Sequence, residues 1–222
     1  MQTIQTTEIY TRLGRAVREG YTAISLQGSA RSGKTYNVMI WLILYALSVP
    51  NIKISVVRAT LPALKGSVLE DFEAIMRQLG VYNDRHFNRT DLVYWFKTHS
   101  TIEFFSASDE QRLRGRKRDI LFVNEANELT AIQFQQLKMR TTRLTIVDYN
   151  PSFSEEHWIA SDLNKDPRTY HFVSTYKDNP FLEQTVIDEI ESLQTKNFSL
   201  WQIFGEGKMA QIEGLVFTNV ST

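Results

Sequence analysis

The stretch Thr22–Thr35, TAISLQGSARSGKT, constrains this chain more than any other. Ile24 and Leu26 are apolar and two apart, which reads as a short buried strand ending at Gln27. Gly28-Ser29-Ala30-Arg31-Ser32-Gly33-Lys34-Thr35 then satisfies the pattern G-x-x-x-x-G-K-[ST] in full. An apolar run over residues 38–47 follows and predicts a helix. Strand, glycine loop and helix in that order form a phosphate cradle. The glycines let backbone N–H groups turn inward around an anion, and the helix N-terminus adds its positive dipole end. Lys34 reaches β- and γ-phosphates in such a loop, and the Thr35 hydroxyl binds Mg²⁺. The expected ligand is therefore ATP or a related triphosphate with Mg²⁺.

Alternation of the remaining segments sets the fold class. Helical spacing appears over residues 8–19, 61–79, 130–140, 181–193 and 198–204. Strand-like runs cover 52–57, 92–97, 101–106, 119–124, 143–147 and 170–174, with 92–97 and 101–106 flanking an expected hairpin at His99-Ser100. Strands alternating with helices indicate an α/β fold with a mostly parallel central sheet, here a P-loop NTPase of the RecA-like kind. The expected division is an ATPase domain over 1–207 and a linker over 208–222, although Glu206 and Gly207 already read as linker by composition.

Composition narrows the classes further. The 25 basic and 25 acidic residues cancel, so any nucleic-acid surface must be local. Cysteine is absent, which excludes disulfides and thiolate metal sites and fits an intracellular protein. The longest apolar run is too short to cross a bilayer, and the expected location is cytoplasmic.

In parallel sheets, ligands bind beyond the carboxyl ends of the strands, so the residues there carry the chemistry. The run Ile120–Val123 ends in Asn124-Glu125, where many P-loop ATPases have an acidic pair. Its first acid supports Mg²⁺ and its glutamate activates the attacking water. Asn124 is uncharged, so Mg²⁺ would rest more on Thr35 and the phosphates, and an aspartate at 124 would restore the commoner support. Glu125 is the candidate catalytic carboxylate. The next strand runs into Asp148-Tyr149-Asn150-Pro151, and the amide of Asn150 could contact the phosphate or report hydrolysis. Arg112–Arg118 packs five cations into seven residues. Three roles compete there: an arginine finger acting on a neighbour (Arg114 or Arg116, flanking Gly115), a DNA-backbone contact, and a solvated turn. Gln5 and Tyr10 are candidates for contacting the adenine. His157, beside Trp158, reads as a packed or capping histidine.

Taken in order, QGSARSGKT, LKGSVLEDF, IEFFSASDEQRLRGRKRD, ILFVNEANELT, DYNPSFSEEHW and STYKDNPFL resemble the ATPase domain of the large terminase subunit of tailed bacteriophages. The resemblance covers about residues 24–207. It implies a homo-oligomeric ring on the portal protein, working with a small terminase subunit and hydrolysing ATP to move double-stranded DNA into procapsids in the cytoplasm of an infected bacterium. By motif, Lys34 and Thr35 carry over as the phosphate and Mg²⁺ residues, Glu125 as catalytic glutamate and Asn150 as coupling residue. Asn124 departs from the common aspartate. Full-length members continue into a nuclease domain, and no nuclease activity is expected of this chain.

Three other readings remain open from the residues. A P-loop kinase would usually lack the glutamate after the second strand and would need a phosphate acceptor. A nucleotide-gated assembly module would bind ATP with little turnover. A helicase-like or partition-type DNA ATPase differs only in what it moves.

Overall fold

The computed structural model describes residues 4–115 and 117–210. Eight strands form one sheet: β1 (Ala23–Gly28), β2 (Lys53–Arg58), β3 (Phe87–Asn88), β4 (Val93–Trp95), β5 (Thr101–Ser106), β6 (Arg118–Val123), β7 (Thr141–Tyr149) and β8 (Thr169–Ser174). Their spatial order is β3-β4-β5-β2-β6-β7-β1-β8. The strands from β5 to β8 run parallel, and β3 and β4 add an antiparallel edge.

Side-chain alternation divides the sheet between two cores. Ile24, Leu26, Ile54, Val56, Ile120, Phe122 and Ile146 face one layer. That layer is built from helices α1 (Glu8–Arg18), α2 (Lys34–Ser48), α3 (Leu61–Leu64) and α4 (Glu70–Gln78). Val57, Leu121, Val123, Val147 and Tyr149 face the other. There they meet α5 (Glu110–Leu113), α6 (Ala131–Lys138) and α7 (Trp158–Ser161). Period-two strands buried on both faces are what parallel sheets require. A smaller cluster, Tyr176, Ile190 and Trp201, joins α8 (Gln184–Lys196) to α9 (Phe198–Phe204).

The structure adjusts several expected boundaries. The helix expected over 61–79 contains a π-helical segment, Lys65–Leu69, between α3 and α4. Wider turns of this kind commonly occur at functional sites. β4 is shorter than the run 92–97, bounded by Leu92 and His99 at positive φ (53° and 63°). The short β3 and α7 were not anticipated. His157 caps α7, its Nδ1 accepting from the Ile159 N–H at 3.3 Å, and stacks on Phe153 with ring centroids 4.2 Å apart. The tail is not a linker from its start. Gly207 is buried, its carbonyl accepts from Gln27 Nε2 at 2.7 Å, and Lys208 N–H donates to Gln202 O at 2.8 Å. Of the stretch 208–222, only Lys208–Ala210 falls among the described residues.

Gly28 is required by a close approach. A Cβ there would lie 2.4 Å from the Ser174 carbonyl oxygen and 2.7 Å from its hydroxyl. Gly28→Ala should therefore push β8 away from β1, at roughly 1–3 kcal/mol of overpacking cost. Thermal unfolding checks this, and an unchanged midpoint would mean that the two strand ends separate freely.

Candidate nucleotide site

The phosphate loop leaves β1 and returns as α2, and its backbone is shaped for this path. Gly33 caps α2 with φ 84°, in the left-handed region that glycine occupies without strain. Arg31 also has positive φ, at 62°. Ser29 and Ser32 are buried within the loop, and Ser32 Oγ accepts from Ser174 Oγ at 3.2 Å. The loop opens into a cleft of about 400 Å³ lined in part by Ala30, Gly33, Lys34, Thr35, Glu125 and Asn150. The sequence-predicted residues of three separate segments thus meet at one place.

Lys34 is 7% exposed. Its Nζ donates to Ser29 O at 2.8 Å and to Asn150 Oδ1 at 3.1 Å, and lies 3.4 Å from Ser32 Oγ. Burial pushes its pKa down, opposed by the charges of Asp148 and Glu125. Asn150 therefore touches the lysine directly. β7 lies between β6 and β1, which brings the tip that follows it into the phosphate end of the cleft.

Asp148 also belongs to this cluster, although the sequence reading did not single it out. It is the penultimate residue of β7 and is 1% exposed. Its Oδ2 accepts from Thr35 Oγ1 at 2.6 Å, and its Oδ1 accepts from the Glu125 N–H at 2.8 Å. Asn124 Nδ2 donates to Asp148 Oδ1 at 2.9 Å, and lies 3.2 Å from Oδ2 and 3.1 Å from Thr35 Oγ1. Burial raises the Asp148 pKa, against the lowering effect of the Thr35 hydrogen bond, the Lys34 charge and the other donors. Its signal in the sequence is its place two residues before Asn150, in Asp148-Tyr149-Asn150-Pro151.

Glu125 sits just past β6 with φ 50° and ψ 56°, a left-handed conformation that a non-glycine residue adopts at a cost. It begins the turn Ala126–Glu128 and lines the cleft. Burial, and then the nearby Asp148 charge, push its carboxyl up to about 7, while Lys34 and Arg58 pull it down. Asp71 of α4 also lines the cleft, and burial raises its pKa too.

A second cleft, also about 400 Å³, adjoins the first through Gly33, Tyr36 and Asn179. Gln5, Thr7, Asn37, Gln78 and Phe181 complete it. Of the two adenine candidates, Gln5 lines this cleft. Tyr10 lines neither, because its ring packs against the α1 side of the core. Asn179 was not anticipated. Its Nδ2 donates to Arg31 O at 2.8 Å, tying the segment before α8 to the phosphate loop.

The basic run does not enter this cleft among the described residues. Arg112 pairs with Asp109 at 3.4 Å and Asp91 at 3.7 Å. Arg114 is exposed and meets Glu110 at 3.4 Å. Arg118 is buried at the start of β6, over the Phe105 ring, so it is not part of the projecting loop. Arg116 lies outside the described residues.

Comparisons with known proteins bear on the family and the fold. A family model described as phage terminase large subunit matches residues 22–208. The curated terminase large subunit of Bacillus phage SPP1 is 22% identical over 191 residues, covering 78% of this chain and 45% of that protein. The large terminase of a thermophilic bacteriophage, solved in complex with ATP-gamma-S, superposes with a TM-score of 0.75 at 18% identity. That match covers 91% of this chain and 52% of the other. The large terminase ATPase domain of Thermus phage P74-26 gives a TM-score of 0.64 at 12% identity, over 93% of this chain and 94% of that domain. This chain thus spans about half the length of the SPP1 protein and of the terminase solved with ATP-gamma-S.

Proposed function

The chain belongs to the phage terminase large-subunit family, and from that premise we propose that it hydrolyses ATP to drive double-stranded DNA into a procapsid. The observation that carries this reading is the meeting of Lys34, Thr35, Asp148, Glu125 and Asn150 around one cleft at the carboxyl edge of the sheet. Phosphoryl transfer to water needs positioning and charge stabilisation more than covalent chemistry, and these residues supply both. Lys34 meets the β- and γ-phosphates, leaving Asn150. Glu125 orients and activates the attacking water. A P-loop kinase would usually lack a glutamate directly after the strand corresponding to β6 and would need a phosphate acceptor.

The residues fit Mg²⁺. The Thr35 hydroxyl is available beside a buried carboxylate, and Asn124 Oδ1 is buried with no hydrogen-bond partner in the protein. When bound with the nucleotide, Mg²⁺ neutralises charge developing on the phosphates. The adenine would enter the second cleft, whose lining includes Tyr36, Phe181 and Gln5. The release of Asn150 from Lys34 when phosphate arrives gives a route from the nucleotide to the turn after β7, and so to the moving parts. The partners in this reading are DNA, a portal protein and a small terminase subunit, with further copies of the chain in a ring and the host cytoplasm as the setting. Among the described residues, no helix is long and apolar enough to cross a membrane. Steady-state ATP hydrolysis with and without double-stranded DNA tests the reading. Turnover no higher than that of a Lys34→Ala control would overturn it.

The arginine finger is a trans proposal. Arg114 is favoured over Arg112, which two aspartates already hold. A finger contributes roughly 10³–10⁵ in rate in related chemistry. A Glu125→Ala chain keeping its arginines should therefore raise hydrolysis in a chain whose Arg114 and Arg116 are replaced. If associated chains show no rescue, the basic loop contacts DNA or only solvent. A salt dependence of DNA binding that flattens in the arginine variant then identifies the DNA contact.

A further inference from the structure

Resting on the Mg·ATP reading above, we propose that Asp148 is the carboxylate that supports the Mg²⁺ of the bound nucleotide. It takes over on β7 a task that β6 leaves to the uncharged Asn124. The sheet register makes the exchange possible. Val123 of β6 pairs with Val147 of β7, so the residues that follow, Asn124 and Asp148, emerge side by side. A carboxylate at either tip serves the same point of the cleft.

Three observations favour 148 as the acid. First, the Thr35 hydroxyl, the metal-binding group of the loop motif, donates to Asp148 Oδ2 at 2.6 Å, whereas its contact with Asn124 is 3.1 Å. Second, Asp148 is 1% exposed and receives three kinds of donor, from Thr35, Asn124 and the Glu125 backbone. The nearby ammonium of Lys34 is committed to Ser29 and Asn150 instead. A buried carboxylate lacking a direct counter-ion is expensive to maintain unless a cation is to be served there. Third, Asn124 is 2% exposed, and its Oδ1 has no partner in the protein while its Nδ2 binds the carboxylate. Flipping the amide would set oxygen against oxygen, so the orientation is fixed by Asp148. The orphaned oxygen is left to accept from a water of the metal's shell.

The same geometry explains why residue 124 is neutral. An aspartate there would stand about 3 Å from Asp148, and two buried carboxylates at that distance cannot both ionise. The sequence alone made an aspartate at 124 look like a return to the commoner Mg²⁺ support. On the present proposal the single change Asn124→Asp is instead expected to weaken the metal, and only the exchange with residue 148 to preserve it.

The test is Mn²⁺ binding, followed by its paramagnetic resonance signal in the presence of ATP-gamma-S, with nucleotide binding in EDTA measured alongside. Asp148→Asn should weaken Mn²⁺ about 10-fold or more while nucleotide affinity in EDTA stays within a few-fold, as expected when one ligand of a metal's surroundings is lost. Asn124→Asp should also weaken Mn²⁺, and the exchange Asn124→Asp/Asp148→Asn should recover most of the wild-type affinity. A folded Asp148→Asn protein with wild-type Mn²⁺ affinity overturns the proposal. Where Asp148→Asn does not fold, the exchange decides: recovered metal affinity supports the proposal, and a folded exchange protein without it overturns the proposal. A wild-type chain that binds no ATP-gamma-S with or without metal would instead refute the nucleotide reading itself.

Discussion

Lys34→Ala should abolish measurable ATP hydrolysis and weaken nucleotide binding, without weakening the fold. The ammonium is buried at 7% exposure and points into the loop that shapes the phosphate site. Each charge-assisted hydrogen bond that it makes to a phosphate contributes roughly 1.5–3 kcal/mol, so its loss lowers affinity about 10- to 100-fold. Hydrolysis suffers more, because the transferred phosphoryl group gathers charge that a fixed cation stabilises, and removing one such group typically costs about 10²–10³ in rate. Stability should change little, because two effects oppose each other: burial disfavours the charged lysine, while its charge offsets those of the buried Asp148 and Glu125. Turnover, ATP-gamma-S titration and thermal unfolding of one preparation check all three. Normal turnover would remove Gly28–Thr35 from the mechanism.

Those expectations draw on what local sequence makes legible. The glycine loop, the strand before it and the helix after it are contiguous, so their chemistry could be read without knowing what lies across the sheet. The alternation of Ile54 and Val56 against Val57, or of Ile120 and Phe122 against Leu121, likewise announced strands buried on both faces. The placement of Asn150 beside Lys34, β7 lying next to β1, is compatible with the phosphate contact expected of its amide. Asp148 was not legible in the same way. Its meaning depends on a register between β6 and β7 and on an unfilled charge at Asn124, neither of which one strand reveals. The π-helical segment at Lys65–Leu69 was hidden for a similar reason, since its apolar residues keep a pattern compatible with an ordinary helix. Gly207 read as a linker glycine because composition cannot show that it packs on the phosphate loop. There a Cβ would meet Ser29 N at 3.0 Å and Gly28 Cα at 3.1 Å. Tyr10 lines neither cleft because it packs against the core.

Glu125→Gln should lower the rate of hydrolysis by about 10²-fold or more while ATP-gamma-S affinity stays within a few-fold of wild type. The amide keeps the size of the side chain and leaves the Glu125 N–H on Asp148 Oδ1 undisturbed. It loses only the basic oxygen that takes a proton from water. The backbone supplies an independent check on this assignment. Holding a glutamate at φ 50° and ψ 56° costs on the order of 1–3 kcal/mol, and a fold has no reason to retain that strain for a side chain without a task. Glycine meets no such penalty in this region. Glu125→Gly should therefore be as inactive as Glu125→Gln yet at least as stable as wild type, even after the extra chain entropy that glycine brings to the unfolded state. Comparing the three proteins in turnover and thermal unfolding separates the two contributions. Normal hydrolysis by Glu125→Gln would transfer the role to another acid, with Asp71, which also lines the cleft, the next to replace. A Glu125→Gly protein markedly less stable than wild type would show instead that the glutamate is held there for the fold.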